Sequence, residues 1–388
     1  MGRKLLYFVL FAASLAFVSA AFADGDEDFP VVPHLFSPPN VSVSTVPANG
    51  DVNPYGVFFV PREFPKGGPL HPGDVVVSNF NDSGNLQGTG TTIVSISPNG
   101  QNTLFFQGPP PPGLGLTTAL GVLKRGYVIV GSVPSLDGSG VCTEVNGAET
   151  DVGQGALIIL DRFGNVVKTL QDANLLNGPW DLTLRDEGER ATVYVSNVLS
   201  GTVTRIELRI RDNDDRDDGD DRDGEHRGSA VRVERMTQIA SGYTHRCDPS
   251  AFVVGPTGLA LDKDGDTLYV ASTGDNTIFA VQDADDRRTD GGTGKAFIQD
   301  VVHLHGPLGL VRAPNGDLIT TQGDVINPDP NQPSEIVEYD RHGQFVAQFS
   351  IDPAAGAAFG IAIVRSGDGF RFAAVDDGIN FLDIWNVR

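Results

Sequence analysis

Positive charge is scarce in this chain: 28 lysines and arginines face 50 aspartates and glutamates, for a formal net charge of −22 at pH 7. That excludes nucleic acid and anionic membrane surfaces as partners, because both are gripped through a basic footprint. Cysteine is nearly absent. Cys142 and Cys247 are the only two, so there is no CxxC pair and no zinc-type spacing, and in an exported chain the two are candidates for one disulfide. No apolar run after residue 23 is long enough to cross a bilayer, so the protein is expected not to be membrane-embedded. Stretches with the 3.6-residue period of amphipathic helices are missing, which excludes a helical solenoid. There is no Gly-x-Ser-x-Gly elbow, no phosphate loop and no Ser-His-Asp series.

What is present begins with a processing signal. Arg3 and Lys4 precede the apolar run Leu5 to Val18, and Ala21-Phe22-Ala23 stands ahead of Asp24. This is the pattern of a secretory signal peptide over residues 1–23, with cleavage after Ala23 or Ala20. A secreted or periplasmic location follows as the expectation. Residues 24–40 are acidic, then proline-rich, and read as irregular.

From Val41 onward the chain reads as a single domain of imperfect repeats. The most regular copy is GPTGLALDKDGDTLYVAS (255–272): an apolar strand, a tight turn and a returning apolar strand, with Gly265 where the turn needs positive φ. Related stretches open at NPYGVFFVP (53–61), TALGVL (118–123), GPWDLTL (178–184), GPLGLVRAPNGDLITTQ (306–322) and AFGIAIV (358–364). The anchor positions are Gly56, Gly121, Asp181, Gly258, Gly309 and Gly360. Each interval holds about four short strands, the mark of a β-propeller. The last unit has three strands, and the strand Val41 to Val46 is left over at the other end. Pairing them gives an all-β six-bladed propeller of four-stranded antiparallel blades, closed by the N-terminal strand. Closure removes exposed sheet edges, and a monomer is expected.

PTGLALDKDGDTLYVASTGDNTIFAV (256–281) and PLGLVRAPNGDLITT (307–321) resemble NHL repeats and the gluconolactonase- and strictosidine-synthase-like propellers. The resemblance covers nearly all of the chain after the signal peptide and implies the fold. It carries activity weakly, since one propeller architecture hosts binders, lyases and hydrolases.

In such a blade, loops joining strands two and three share one face with loops joining blades. That face receives the long segments Asn81 to Gly90, Pro109 to Pro112, Val133 to Gly155, Ser241 to Val253 and Asp324 to Pro333. Both cysteines fall there. A small molecule or a protein is the expected partner at this long-loop face. The residues preceding the anchors project to the channel mouth: Tyr55, Leu120, Trp180, Thr257, Leu308 and Phe359. The aromatic ones suit a small ligand or plug the channel. In gluconolactonase-like proteins this ring supplies an asparagine and an aspartate to a divalent metal. The matching positions here are Thr257 and Leu308, and neither suits the task.

The resemblance to the peptidyl-amidating lyase group, which uses histidines for zinc, points to His303 and His305, alternating as on a strand, with His245 as a third. Asn79, Asn197, Asp275 and Asp376 recur at the ends of second strands, where they either ring the mouth and bind a ligand (Asn79, Asn197) or a cation (Asp275, Asp376), or cap turns. The insertion RDNDDRDDGDDRDGEHR within 211–228 is acidic enough for Ca²⁺ but lacks the EF-hand spacing, and reads as a solvated loop. The sequence therefore favours a binding or interaction module with its ligand site on the long-loop face. The alternative is a metal-dependent hydrolase or lyase, lactonase- or esterase-like, and Ca²⁺ or another divalent cation is the cofactor to look for.

Overall fold

The computed structural model describes residues 29–109, 113–145, 148–211, 230–322, 326–329 and 331–387. Residues 1–23, where a signal peptide is expected, and nearly all of the acidic insertion lie outside these residues. Six four-stranded antiparallel sheets follow one another along the chain. Their innermost strands are Val52–Phe59, Leu116–Leu123, Pro179–Asp186, Pro256–Leu261, Pro307–Arg312 and Ala358–Ser366. We number the blades one to six in that order. The strand Val41–Ser44 pairs antiparallel with the last strand, Phe381–Val387, so the two ends of the chain complete blade six together.

The second and third strands of the blades are apolar runs such as Tyr127–Ser132 and Ala156–Asp161, buried along their whole length. They pack on both faces against neighbouring blades, as their lack of polar alternation requires. Outer strands such as Val166–Leu170 are half exposed. The core is accordingly divided into clusters between adjacent blades: Ile129, Leu157 and Ile159 of blade two meet Leu182, Val193 and Ile206 of blade three, for example.

All six inner strands carry a register shift in their first half, between Pro54/Val57, Leu116/Leu120, Pro179/Leu182, Pro256/Leu259, Pro307/Leu310 and Ala358/Ile361. These bulges bend each strand at the channel. Most anchors lie in them for a steric reason. A Cβ on Gly360 would collide with the Tyr55 carbonyl oxygen of the next blade. Blade two departs from the expected alignment. Its bulge holds Thr117, Thr118 and Ala119, one residue more than the others, while Gly121 pairs regularly with Ile129. Leu120 is therefore a wall residue below the bulge and not a mouth residue.

Three second strands use a hydroxyl to join blades. Ser78, Ser196 and Thr321 accept the bulge N–H of Gly56, Asp181 and Gly309, and donate to the carbonyls of Thr117, Thr257 and Phe359 in the following blade. In blades two and four the second strand has Gly131 or Ala271 instead. There Thr117 and Thr257 of the inner strand supply the hydroxyl, to the carbonyls of Pro179 and Pro307.

Residues 24–40 were expected to be irregular. Within the described part, Val32–Phe36 forms a 3₁₀ turn whose Val32 and Leu35 are buried. Burial drives it: these side chains join Val31 in a cluster with Ile319, Ile336 and Trp385. Glu338 of blade five accepts the amide N–H groups of Val31 and Val32 at 2.8 to 2.9 Å.

Candidate functional site

The long loops meet on one face of the ring. The 133–155 segment is not wholly irregular: it carries the hairpin Thr143–Val145 with Ala148–Thr150. Likewise 241–253 holds most of a second hairpin, Arg246–Asp248 with Phe252–Val254. Cys142 and Cys247 are joined by a disulfide with Cα atoms 5.3 Å apart, so the two hairpin segments lean across blade three. Gln87 donates to the carbonyl of Ser250, tying the loop of blade one into the same roof.

Beneath this roof lies an aromatic cluster. Tyr55 stacks between Phe80 and Phe359, at centroid distances of 4.6 and 4.4 Å. Trp180 meets Tyr55 and Phe80 edge-on, and Phe252 reaches down from the roof onto Phe80. Rings in these geometries fill the axis of the propeller and close the upper channel. A pocket of about 210 Å³ remains on the cluster, lined by Tyr55, Trp180, Thr257, Leu308 and Phe359 among others. The sequence thus brought Tyr55, Trp180, Thr257 and Phe359 to one place.

The polar groups on this pocket are mostly neutral amides and hydroxyls, including Asn53, Asn81, Asn85 and Gln87. The exception is Asp377, whose carboxyl is pushed up to about 7 by burial and then by Asp376 beside it. Burial, with Asp377 adding to it, likewise raises the Tyr55 hydroxyl far above its usual range. A carboxyl poised near neutrality in a cleft can exchange protons with a bound molecule.

Asn79 and Asn197 are fully buried behind the pocket. Asn79 donates to the Thr45 carbonyl at 3.3 Å and to Thr92 Oγ1 at 3.1 Å. Asn197 donates to the Leu175 carbonyl and to the hydroxyls of Thr202 and Thr204. Asp376 occupies the equivalent strand end, and its carboxyl is pushed up to about 6 by burial and by Asp352. Asp275 does not belong to this series. The second strand of blade four ends at Ser272, and Asp275 lies beyond it, accepting from Ser272 Oγ and the Thr244 amide.

The three histidines do not converge. Residues 301–303 form a turn and not a strand, so His303 and His305 lose the shared direction that alternation implied. His303 stacks on Phe345 and bonds Asp300 at 2.7 Å. His245 stands 3.7 Å from Glu149. His305 instead joins Asp329 and Glu335, with one potential ligand atom of each lying within 4.8 Å of the others. This is the one such trio among the described residues. Asp329 and Glu335 carry no sequence signal, because they lie far along the chain from His305 and in no spacing motif. The His305 Nδ1 atom is buried without a hydrogen-bond partner among the described residues, and the mixed nitrogen and oxygen donor set suits a divalent cation. None of the three is among the residues that line the pocket, although Gly306, next to His305, and Ile326, three residues before Asp329, are. The ring position used by gluconolactonase-like proteins does not fit a metal here: Leu308 has no donor, and Thr257 Oγ1 is committed to the Pro307 and Ala271 carbonyls.

The architecture has known counterparts. The calcium-binding protein regucalcin from Agrobacterium tumefaciens superposes with a TM-score of 0.50 at 13% identity, over 89% of this chain and 95% of its own. A gluconolactonase from Xanthomonas campestris aligns at 14% identity over 87% of each chain, with a TM-score of 0.49. A luciferin-regenerating enzyme aligns at 10% identity over 89% of this chain and 95% of its own, with a TM-score of 0.48. The chain shares the six-bladed propeller fold of regucalcin. No protein-family profile matches the sequence, and neither does any curated protein.

Proposed function

We propose that this protein is a divalent-cation-dependent hydrolase or lyase that acts on a small, uncharged, hydroxyl-bearing substrate at the long-loop face. The observation that carries the reading is Asp377, a carboxyl near neutrality on a pocket otherwise furnished with amides, hydroxyls and an aromatic floor. Neutral amides suit a hydroxylated substrate, and the stacked rings suit the flat face of a sugar-like or lactone ring. Asp377 would hold or release the proton that the reaction moves. His305, Asp329 and Glu335 would hold the cation, which when bound supplies Lewis-acid polarisation of a substrate oxygen. The regucalcin and gluconolactonase names of the structural neighbours agree with this direction. The signal-peptide-like pattern of residues 1–23 and the Cys142–Cys247 disulfide support the reading of an exported protein.

A second reading, a binding module without turnover, is favoured by the smallness of the pocket and by its closed aromatic floor. One experiment separates the two. The purified protein is assayed against a panel of lactones and esters, with and without added divalent cations and after chelation. Turnover that chelation abolishes, and that Asp377→Asn lowers by about 10²- to 10⁴-fold, supports the enzyme. Saturable binding of panel members without turnover, together with no stoichiometric metal by elemental analysis, establishes the binding module instead.

A further inference from the structure

The opposite end of the channel carries a second, larger cavity of about 740 Å³. The bulges divide the two spaces: Trp180, Leu308 and Phe359 line the upper pocket, while their successors Asp181, Gly309 and Gly360 line the lower one. The lower walls are apolar, built from inner-strand side chains such as Val57, Val122, Leu184, Leu261 and Ile363. At the outer end the composition changes abruptly. Each blade places one cation at or just past the end of its inner strand: Arg62, Lys124, Arg185, Lys263, Arg312 and Arg365. Arg371, from the second strand of blade six, adds a seventh.

This ring is out of character with the molecule. The lining holds seven cationic side chains against three carboxyls, Asp181, Asp186 and Asp262, in a chain whose net charge is −22. Asp181 is buried deep in the channel with its carboxyl pushed up to about 8, so at pH 7 it is mostly uncharged. Asp186 accepts the amides of Lys124 and Gly188 at 2.6 and 2.8 Å. Arg185 pairs with Glu187 at 3.2 Å, and Arg371 donates to the Gly73 carbonyl. Arg62, Lys124, Lys263 and Arg312 take part in no ion pair among the described residues. Like charges gathered around an opening repel one another, and an anion seated among them relieves that repulsion.

We infer that the lower channel is a binding site for an amphipathic carboxylate, whose apolar body fills the channel and whose anionic head sits in the cationic ring. The volume lies within the range of sites that enclose a small organic molecule. The apolar wall and the charged rim select for both halves of such a ligand. A hydrophilic polyanion would use the rim alone, and an uncharged lipid the wall alone. The site is separate from the upper pocket.

Calorimetric titration of the full chain with dodecanoate below its micelle concentration tests this. One dodecanoate is expected to bind per chain. The affinity is expected to fall steeply along the series to butanoate, to weaken as salt is raised, and to drop for dodecyl alcohol. The triple variant Arg62→Gln, Lys124→Gln, Lys263→Gln removes three of the cations that have no ion pair, and circular dichroism checks its fold. It is expected to bind dodecanoate about tenfold more weakly or worse. Three results would each overturn the inference: no saturable binding by the unaltered protein, equal affinity for butanoate and dodecanoate, or unchanged affinity in a folded triple variant. Tight binding of tripolyphosphate that displaces dodecanoate would also overturn it, by making the ring a polyanion site.

Discussion

Ser196 of blade three donates its hydroxyl proton to the Thr257 carbonyl of blade four at 2.7 Å, while its oxygen receives the Asp181 amide at 3.1 Å. One buried atom thereby holds a bulge in shape and fixes the neighbouring blade against it. Ser196→Ala leaves the Asp181 N–H and the Thr257 carbonyl without this partner in a dry place. A loss of about 1–3 kcal/mol is expected, read as a lower urea midpoint with an unchanged slope. Thr321→Val in blade five is expected to behave alike, because Thr321 makes the same pair of bonds with Gly309 and Phe359.

Asp181 makes stability depend on pH. Burial pushes its carboxyl up to about 8, against the pull of the Leu182 and Leu259 amides. In the unfolded chain the same group ionises near pH 4. Between those two values the unfolded state has released a proton that the folded state keeps, so this residue lowers folding stability as pH rises through the window. Above about 8 the effect is complete, on the order of 5 kcal/mol at most. Asp181→Asn cannot ionise. The stability of the variant relative to the unaltered protein is expected to rise steadily from pH 4.5 to pH 8, measured by denaturant titration at each pH. A flat difference would show that the carboxyl is not buried in its neutral form.

The Cys142–Cys247 bridge closes a chain segment of sequence separation 105. Replacing both cysteines by serine is expected to cost about 2–5 kcal/mol, seen as a lower Tm. The loss should concentrate in the roof. Hydrogen exchange is expected to quicken at Thr143–Val145 and Arg246–Asp248, while the inner strands keep their protection.

Glu338 fastens the N-terminal segment to blade five through the Val31 and Val32 amides. In Glu338→Ala those amides lose their acceptor. Residues 31–36 are expected to become accessible to protease under conditions where the blades resist cleavage, with a stability loss of about 1–3 kcal/mol.

The ring was legible because its signal is physical and repeated. Doubly buried strands such as Tyr127–Ser132 have to be apolar without interruption, and turns such as the one at Gly265, with φ of 82°, need glycine. The alignment failed where one extra residue was absorbed silently. The Thr117-Thr118-Ala119 bulge leaves no mark in composition, and Gly121 mimics an anchor three residues too late to be one. Much of the upper mouth was legible, since Tyr55, Trp180 and Phe359 are held by the same bulge geometry. Asp376 ends the strand and so carries the sequence signal, whereas Asp377 is set apart by lining the pocket, which sequence position does not show. The cationic ring was invisible for another reason. Each member is one ordinary arginine or lysine at a strand end, and the pattern exists only once six blades are brought round an axis.

The pairing of Val41 with Ile384 gives the molecule a birth order. Synthesis delivers the first strand of the ring long before the strand it must join, and every blade between them has to be laid down while that strand waits. The last strand, ending at Val387, is therefore the latch of the circle. Until it arrives, Val41–Ser44 has no partner, and blade six is only the hairpin of Ala358–Ser366 with Gly369–Asp376.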